Sequence, residues 1–149
     1  MICERDRMTE TIRFWLPFPP SSNRLWRYDR GRPHLSTAYV RWKRKADEAA
    51  QQQGIHKCPV LGRHTLKLEL STRFKGRRGD VDNRLKAVLD WCQRAGLIVD
   101  DTDCYRTVVE WSDKINCDCT VTLKGDGLHG PLARMIAERR KGDARVSAE

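Results

Sequence analysis

Leu85, Val88, Leu89 and Cys92 recur at i, i+3, i+4 and i+7, so one side of the segment they share must turn away from water. The spacing predicts a helix from about Asp82 to Ala95, with Gly96 just past its end in the position where glycine commonly closes one. A period of two predicts strands on either side. Ile12, Phe14 and Leu16 alternate with Arg13 and Trp15, and Leu66, Leu68 and Leu70 alternate with Lys67, Glu69 and Ser71. Beyond the helix, Thr107–Trp111 and Cys117–Leu123 read as two further strands, with Asp113 to Asn116 as a hairpin turn between them. Good helix formers from Thr37 to Gln53, stopped at Gly54, predict a second helix. The order strand, helix, strand, helix, strand, strand predicts an α+β single domain, a mixed four-stranded sheet with two main helices on one face.

The expected domain covers residues 11–124, and 149 residues suit one hydrophobic core. Residues 1–10 read as an N-terminal extension and 125–149 as a C-terminal tail. In that tail, Pro131 to Arg140 suits a short amphipathic helix with Leu132, Met135 and Ile136 on one side, followed by polar, disordered residues. Pro17, Pro19 and Pro20 end the first strand, because proline cannot donate to a ladder. Ser21 to Ser36 then reads as a long loop rich in Arg, Gly and Pro.

There are 29 Lys+Arg against 20 Asp+Glu, a formal net charge of +9, which favours an anionic partner such as nucleic acid. The charge is concentrated. Between Arg24 and Lys45 stand eight basic residues and one acid, with Trp26 and Tyr28 interleaved among Arg24, Arg27, Arg30 and Arg32. Arginines can grip phosphates in bidentate fashion, and an aromatic ring can stack on an opened base. A second basic loop, Lys75, Arg77 and Arg78, follows Arg73. Alone, either run is equally well read as a solvated surface. Six cysteines include no CxxC pair, so they read as free thiols in a reducing cytosol rather than a zinc ribbon. The histidines form no metal spacing. No run is long and apolar enough for a signal peptide or a bilayer span, so a soluble, cytoplasmic protein without a membrane partner is expected.

Chemistry points to the acids. Asp80, Asp82, Asp100 and Asp101 lie in a short stretch, with Asp103 close behind. A phosphodiester repels carboxylates, so acids facing DNA make sense when a divalent metal sits between them, and Mg²⁺ is usually held by one or two carboxylates with water and phosphate oxygens. In an extended Asp80-Val81-Asp82 both carboxylates would point to one side. Lys86, four residues after Asp82 on the predicted helix, would share its face and could steady charge on a reacting phosphate. Asp101 is about 28 Å further along at about 1.5 Å per residue, so it joins the site only if the chain folds back along the helix. Each part also has a plain structural reading. Asp82 can be an N-cap, Asp100-Asp101-Thr102 an acidic turn, and Asp82–Lys86 a solvated ion pair.

The combined pattern resembles the RusA family of Holliday junction resolvases. Leu16-Pro17-Phe18-Pro19-Pro20-Ser21-Ser22-Asn23-Arg24, with Arg30-Gly31-Arg32 and Ser36, is similar to that family's opening strand and proline turn. Gly79 to Asp90, then Ala95-Gly96 and Asp100-Asp101, is similar to its D-x-D-N-x-x-K core and following acidic turn, and the likeness extends over about residues 11–123. The resemblance implies a homodimer that binds four-way DNA junctions and nicks two strands symmetrically with Mg²⁺, or Mn²⁺ in its place, leaving 5′-phosphate and 3′-hydroxyl ends. It implies catalytic roles for Asp80, Asp82, Lys86 and Asp101, with Asp80, Asp82 and Asp101 as metal ligands and Asp100 the alternative to Asp101. A phage or prophage setting fits the family. An apolar face of the sheet or the Trp42 helix would supply the dimer surface. Two other classes stay open: a DNA-binding module whose acids are structural, and a metal nuclease acting on flaps, forks or RNA.

Overall fold

The computed structural model describes residues 2–5, 10–58, 60–76 and 80–125. The chain runs β1 (Ile2–Arg5), β2 (Glu10–Leu16), β3 (Trp26–Asp29), β4 (Arg32–Leu35), α1 (Thr37–Gln53), β5 (His64–Ser71), α2 (Leu85–Arg94), β6 (Cys104–Ser112) and β7 (Cys119–Gly125). The fold is α+β. The four expected strands, β2, β5, β6 and β7, form a mixed sheet in the order β1-β2-β7-β5-β6. The fifth strand, β1, comes from the segment read as an extension and pairs antiparallel with β2. The other addition lies in the expected loop, where β3 and β4 make a separate two-stranded ribbon.

β6 and β7 do not form the expected hairpin. β7 pairs antiparallel with β2 and β5, while β6 runs parallel to β5 at the edge. Burial explains the exchange. Cys119, Thr120, Val121 and Leu123 of β7 are all buried, as a central strand requires, whereas β6 is largely exposed and tolerates the edge. Cys117, expected to open that strand, precedes β7 and places its sulfur 3.2 Å from Thr120 Oγ1.

Ile12, Phe14, Leu16, Leu66, Leu68, Leu70, Val121 and Leu123 turn one sheet face into the core. Both helices pack there. Phe14 and Trp91 of α2 lie 5.9 Å apart between ring centroids. Trp42 of α1 is buried and donates from Nε1 to the Pro17 carbonyl at 3.0 Å. Asp47 joins the helices by accepting from Trp91 Nε1 and Arg94, each at 2.9 Å. The opposite sheet face carries Arg13, Lys67, Glu69 and Glu110 in a ladder of ion pairs between 3.3 and 3.7 Å.

α1 ends as its sequence predicts, with Ser36 Oγ accepting from Tyr39 N at 3.1 Å and Gly54 closing the helix at φ 68°. No helix among the described residues is long and apolar enough to cross a membrane. The helix expected over Pro131–Arg140 lies outside the described residues.

Candidate active site

The start of α2 departs from the regular helix its stripe predicts. Asp82–Arg84 form a 3₁₀ turn, and α2 proper begins at Leu85. Val81 is helical, with φ −66° and ψ −37°, so the side-to-side alternation of an extended chain does not relate Asp80 to Asp82. No side chain caps either the turn or α2, which removes the N-cap reading of Asp82. Asp80 and Asp82 are exposed, and neither is paired among the described residues. Both carboxylates are therefore available to a cation.

Lys86 does not pair with Asp82. The change from 3₁₀ to α winding between them breaks the i,i+4 alignment. Lys86 instead reaches forward to Asp90, with Nζ 3.2 Å from Oδ2, in a pair that leaves it well exposed. Such a surface pair is worth a few tenths of a kcal/mol, so it holds the lysine loosely.

The chain returns to the far end of α2. The 3₁₀ turn Asp101–Asp103 contacts that helix, and Asp101 N donates to Gln93 Oε1 at 3.3 Å. Within the turn Asp100 and Asp101 differ. Asp100 Oδ1 accepts from Thr102 N at 3.0 Å and Thr102 Oγ1 at 2.9 Å, so it serves the turn. The Asp101 carboxyl is held above the ordinary carboxylate range, chiefly by its hydrogen bond to Asp100, then by partial burial and the negative charges of Asp100 and Asp90. A bound cation would relieve this repulsion. Among the described residues no three His, Cys, Asp or Glu side chains already converge on one point. The donor set suits a hard divalent ion of the Mg²⁺ type, which takes carboxylate oxygens and keeps several waters.

A third segment meets the first. The proline turn leads into a 3₁₀ turn, Ser22–Arg24, that packs on Asp82–Arg84, with Ser22 Oγ 3.4 Å from Asn83 Oδ1. Buried Arg84 donates to the Pro19 carbonyl at 3.1 Å and lies 5.1 Å from the Phe18 ring centroid. Residues 61 to 65 positions apart are thereby locked together, and the turn that carries Arg24 packs on the turn that carries Asp82. Residues 17–124, which contain all these contacts, match the family model Endodeoxyribonuclease RusA. The chain belongs to the RusA family.

Its curated relatives include the Crossover junction endodeoxyribonuclease RusA of Shigella sonnei (strain Ss046), 35% identical over 107 residues that cover 66% of this chain and 82% of that protein. The proteins of the same name from Escherichia coli (strain K12) and Enterobacteria phage 82 are each 32% identical over 101 residues, with the same coverage of both chains. As a RusA family member the chain is an endodeoxyribonuclease.

The basic residues expected at a DNA surface fall into two sets. Arg24, Arg27, Arg30 and Arg32 are exposed on the proline turn and the β3–β4 ribbon, and Lys75 is exposed after β5. Arg77 and Arg78 lie outside the described residues. Arg73 is engaged, paired with Asp118, whose other carboxylate oxygen accepts from Phe18 N at 3.3 Å. Two residues beside these acids escaped the sequence reading of roles. Arg84 holds the Asp82 turn from inside the core, which nothing in a surface charge pattern reveals. Asp90 pairs with Lys86 and adds to the negative charge around Asp101, and its i,i+4 spacing from Lys86 was the available signal.

Proposed function

We propose that this chain binds four-way DNA junctions and resolves them by paired, symmetric nicks that depend on Mg²⁺. The observation that carries the reading is that three turns are attached to α2: the Asp82 turn at its start, the Arg24 turn packed on that one, and the Asp101 turn held at its far end through Gln93. In this proposal Asp80, Asp82 and Asp101 hold the ion, while Asp100 keeps the second turn in shape. When bound, the ion would acidify a water and polarise the phosphoryl oxygen. Lys86 has three donors, so it can keep Asp90 and still take a phosphate oxygen. Its charge then opposes the negative charge that builds on the phosphorus oxygens. Arg24 and Lys75 draw the backbone to the acids, offsetting their repulsion for phosphate. The products carry 5′-phosphate and 3′-hydroxyl ends.

The junction substrate follows from the family, whose members described above are named for crossover junctions. A four-way junction offers two equivalent strands, and a homodimer of this chain would present two equivalent sites. Labelled four-way junction, linear duplex and replication fork, incubated with and without Mg²⁺, test the reading. Wild type is expected to nick the junction symmetrically and only with metal. Asp82→Asn should lose cleavage on the order of a hundredfold or more while keeping junction binding, because a ligand and a repulsive charge go together. Full cleavage by the variant would remove Asp82 from the site, and exclusive cleavage of the fork would keep the site but change its substrate.

A further inference from the structure

The β3–β4 ribbon has two chemically different faces. Its register pairs Trp26 with Leu35, Arg27 with His34, Tyr28 with Pro33 and Asp29 with Arg32. Opposite residues of an antiparallel pair share a face, and successive residues alternate. Trp26, Tyr28, Pro33 and Leu35 therefore make one face, and Arg27, His34, Asp29 and Arg32 the other. Leu35, at the root of this face, packs against the core, while Trp26 is 51% and Tyr28 75% exposed. Neither aromatic belongs to the core or to the residues packed against it, so the core does not account for their exposed rings.

The ribbon is rooted at the site. Leu25, directly before β3, is buried, and its carbonyl accepts from Ser36 N at 2.9 Å to close the hairpin base. Immediately before Leu25 comes the Ser22–Arg24 turn that packs on Asp82–Arg84. At the tip, Arg30 and Gly31 turn the chain in two residues with φ of 49° and 76°. A basic residue thus occupies the end of the projection, in a backbone conformation that a residue other than glycine seldom adopts.

We propose that the ribbon recognises branched DNA by stacking Trp26 and Tyr28 on base faces uncovered at the branch point, while Arg27, Arg30 and Arg32 hold the flanking phosphates. Continuous duplex stacks every base on its neighbours and offers no such face, whereas a crossover interrupts the stack. Base faces bind aromatics in a sequence-tolerant manner, and the basic reverse of the ribbon matches the phosphates that accompany them. A protein partner would match the apolar face but leave the reverse face without a counter-charge. This inference rests on the branched-DNA reading above and adds the element that tells branch from duplex.

The test uses full-length protein without divalent metal, so that binding is read apart from cleavage. The probes are a four-way junction with 2-aminopurine at the branch point, the matched duplex, and a single strand carrying the same base. Wild type should change the 2-aminopurine signal in junction and single strand. The double variant Trp26→Ala/Tyr28→Ala should melt as wild type does, lose the signal, and bind the junction about tenfold more weakly or worse, with duplex affinity changed less than about twofold. Equal losses on junction and duplex, or an unchanged signal, would overturn the stacking role. Conversion of a dimer to a monomer with DNA binding intact would also overturn it, assigning the face to a second copy. If wild type fails to prefer junction over duplex, the substrate reading falls, and the single-strand signal still decides whether the ribbon stacks on bases.

Discussion

Individual side chains at the acidic turn have separable jobs. Asp100→Asn keeps the Oδ1 acceptor for Thr102 but removes the neighbouring charge that, with a hydrogen bond and burial, raises Asp101. A raised carboxyl favours the folded state most below the ordinary carboxylate range, and that contribution is lost as pH rises through the raised value. The metal-free variant is therefore expected to melt higher than wild type at pH 7 and to lose this advantage in acid. A carboxyl NMR titration should find Asp101 moved downward, and an unmoved Asp101 would refute the pairing. The thiols differ in the same local way. Burial pushes Cys92 and Cys119 far up. At Cys104 burial also acts upward, but the His64 imidazole and the Thr107 hydroxyl outweigh it and bring the thiol below its ordinary value. Iodoacetamide mapped by mass spectrometry should label Cys104 well before Cys92 or Cys119 in the folded protein.

At the level of elements, α2 and the ribbon contrast. α2 owes its place to burial: Ala87, Val88, Trp91 and Cys92 face the core, and its end is closed by Gly96 at φ 79°. The ribbon owes little to burial, since every residue of β3 is exposed. Its turn can accordingly be altered without disturbing the fold. Arg30→Asn places a residue that tolerates positive φ at the tip, so stability should be unchanged or higher by about 0.5–1 kcal/mol. DNA affinity should nevertheless fall, with a shallower salt dependence, because one phosphate contact is gone. Thermal melts beside binding isotherms at two salt concentrations check both halves, and unaltered affinity would remove Arg30 from the DNA surface.

Over the whole molecule, charge is sorted between surfaces. The open sheet face is a balanced ladder of Arg13, Lys67, Glu69 and Glu110, while the proline turn and ribbon carry an excess of arginine. Trp42 and the inner sheet residues are already used in the core, which leaves exposed Val40 of α1 and Trp15 on the outer sheet face as apolar side chains open to a partner. Light scattering at micromolar concentration is expected to give twice the mass of a 149-residue chain. A monomer at that concentration would require two independent binding events for paired nicks.

Periodicity alone determined which segments became β2, β5 and α2, because one-sided burial leaves a spacing that survives in any tertiary setting. The motif from Asp80 to Asp90, read with the proline turn, likewise carried the family, since its residue types are set by chemistry at fixed spacing. Strand order was decided elsewhere. That β7 lies between β2 and β5, and β6 at the edge, depends on which strand can be buried on both sides once all are present. Tertiary packing also exchanged Lys86's partner from Asp82 to Asp90 by winding the helix entrance as a 3₁₀ turn, and it joined Arg84 to Pro19 across 65 positions. A side chain's partner across such a distance is not encoded in its neighbours, so only the folded chain could bring the Arg24 turn to the acids.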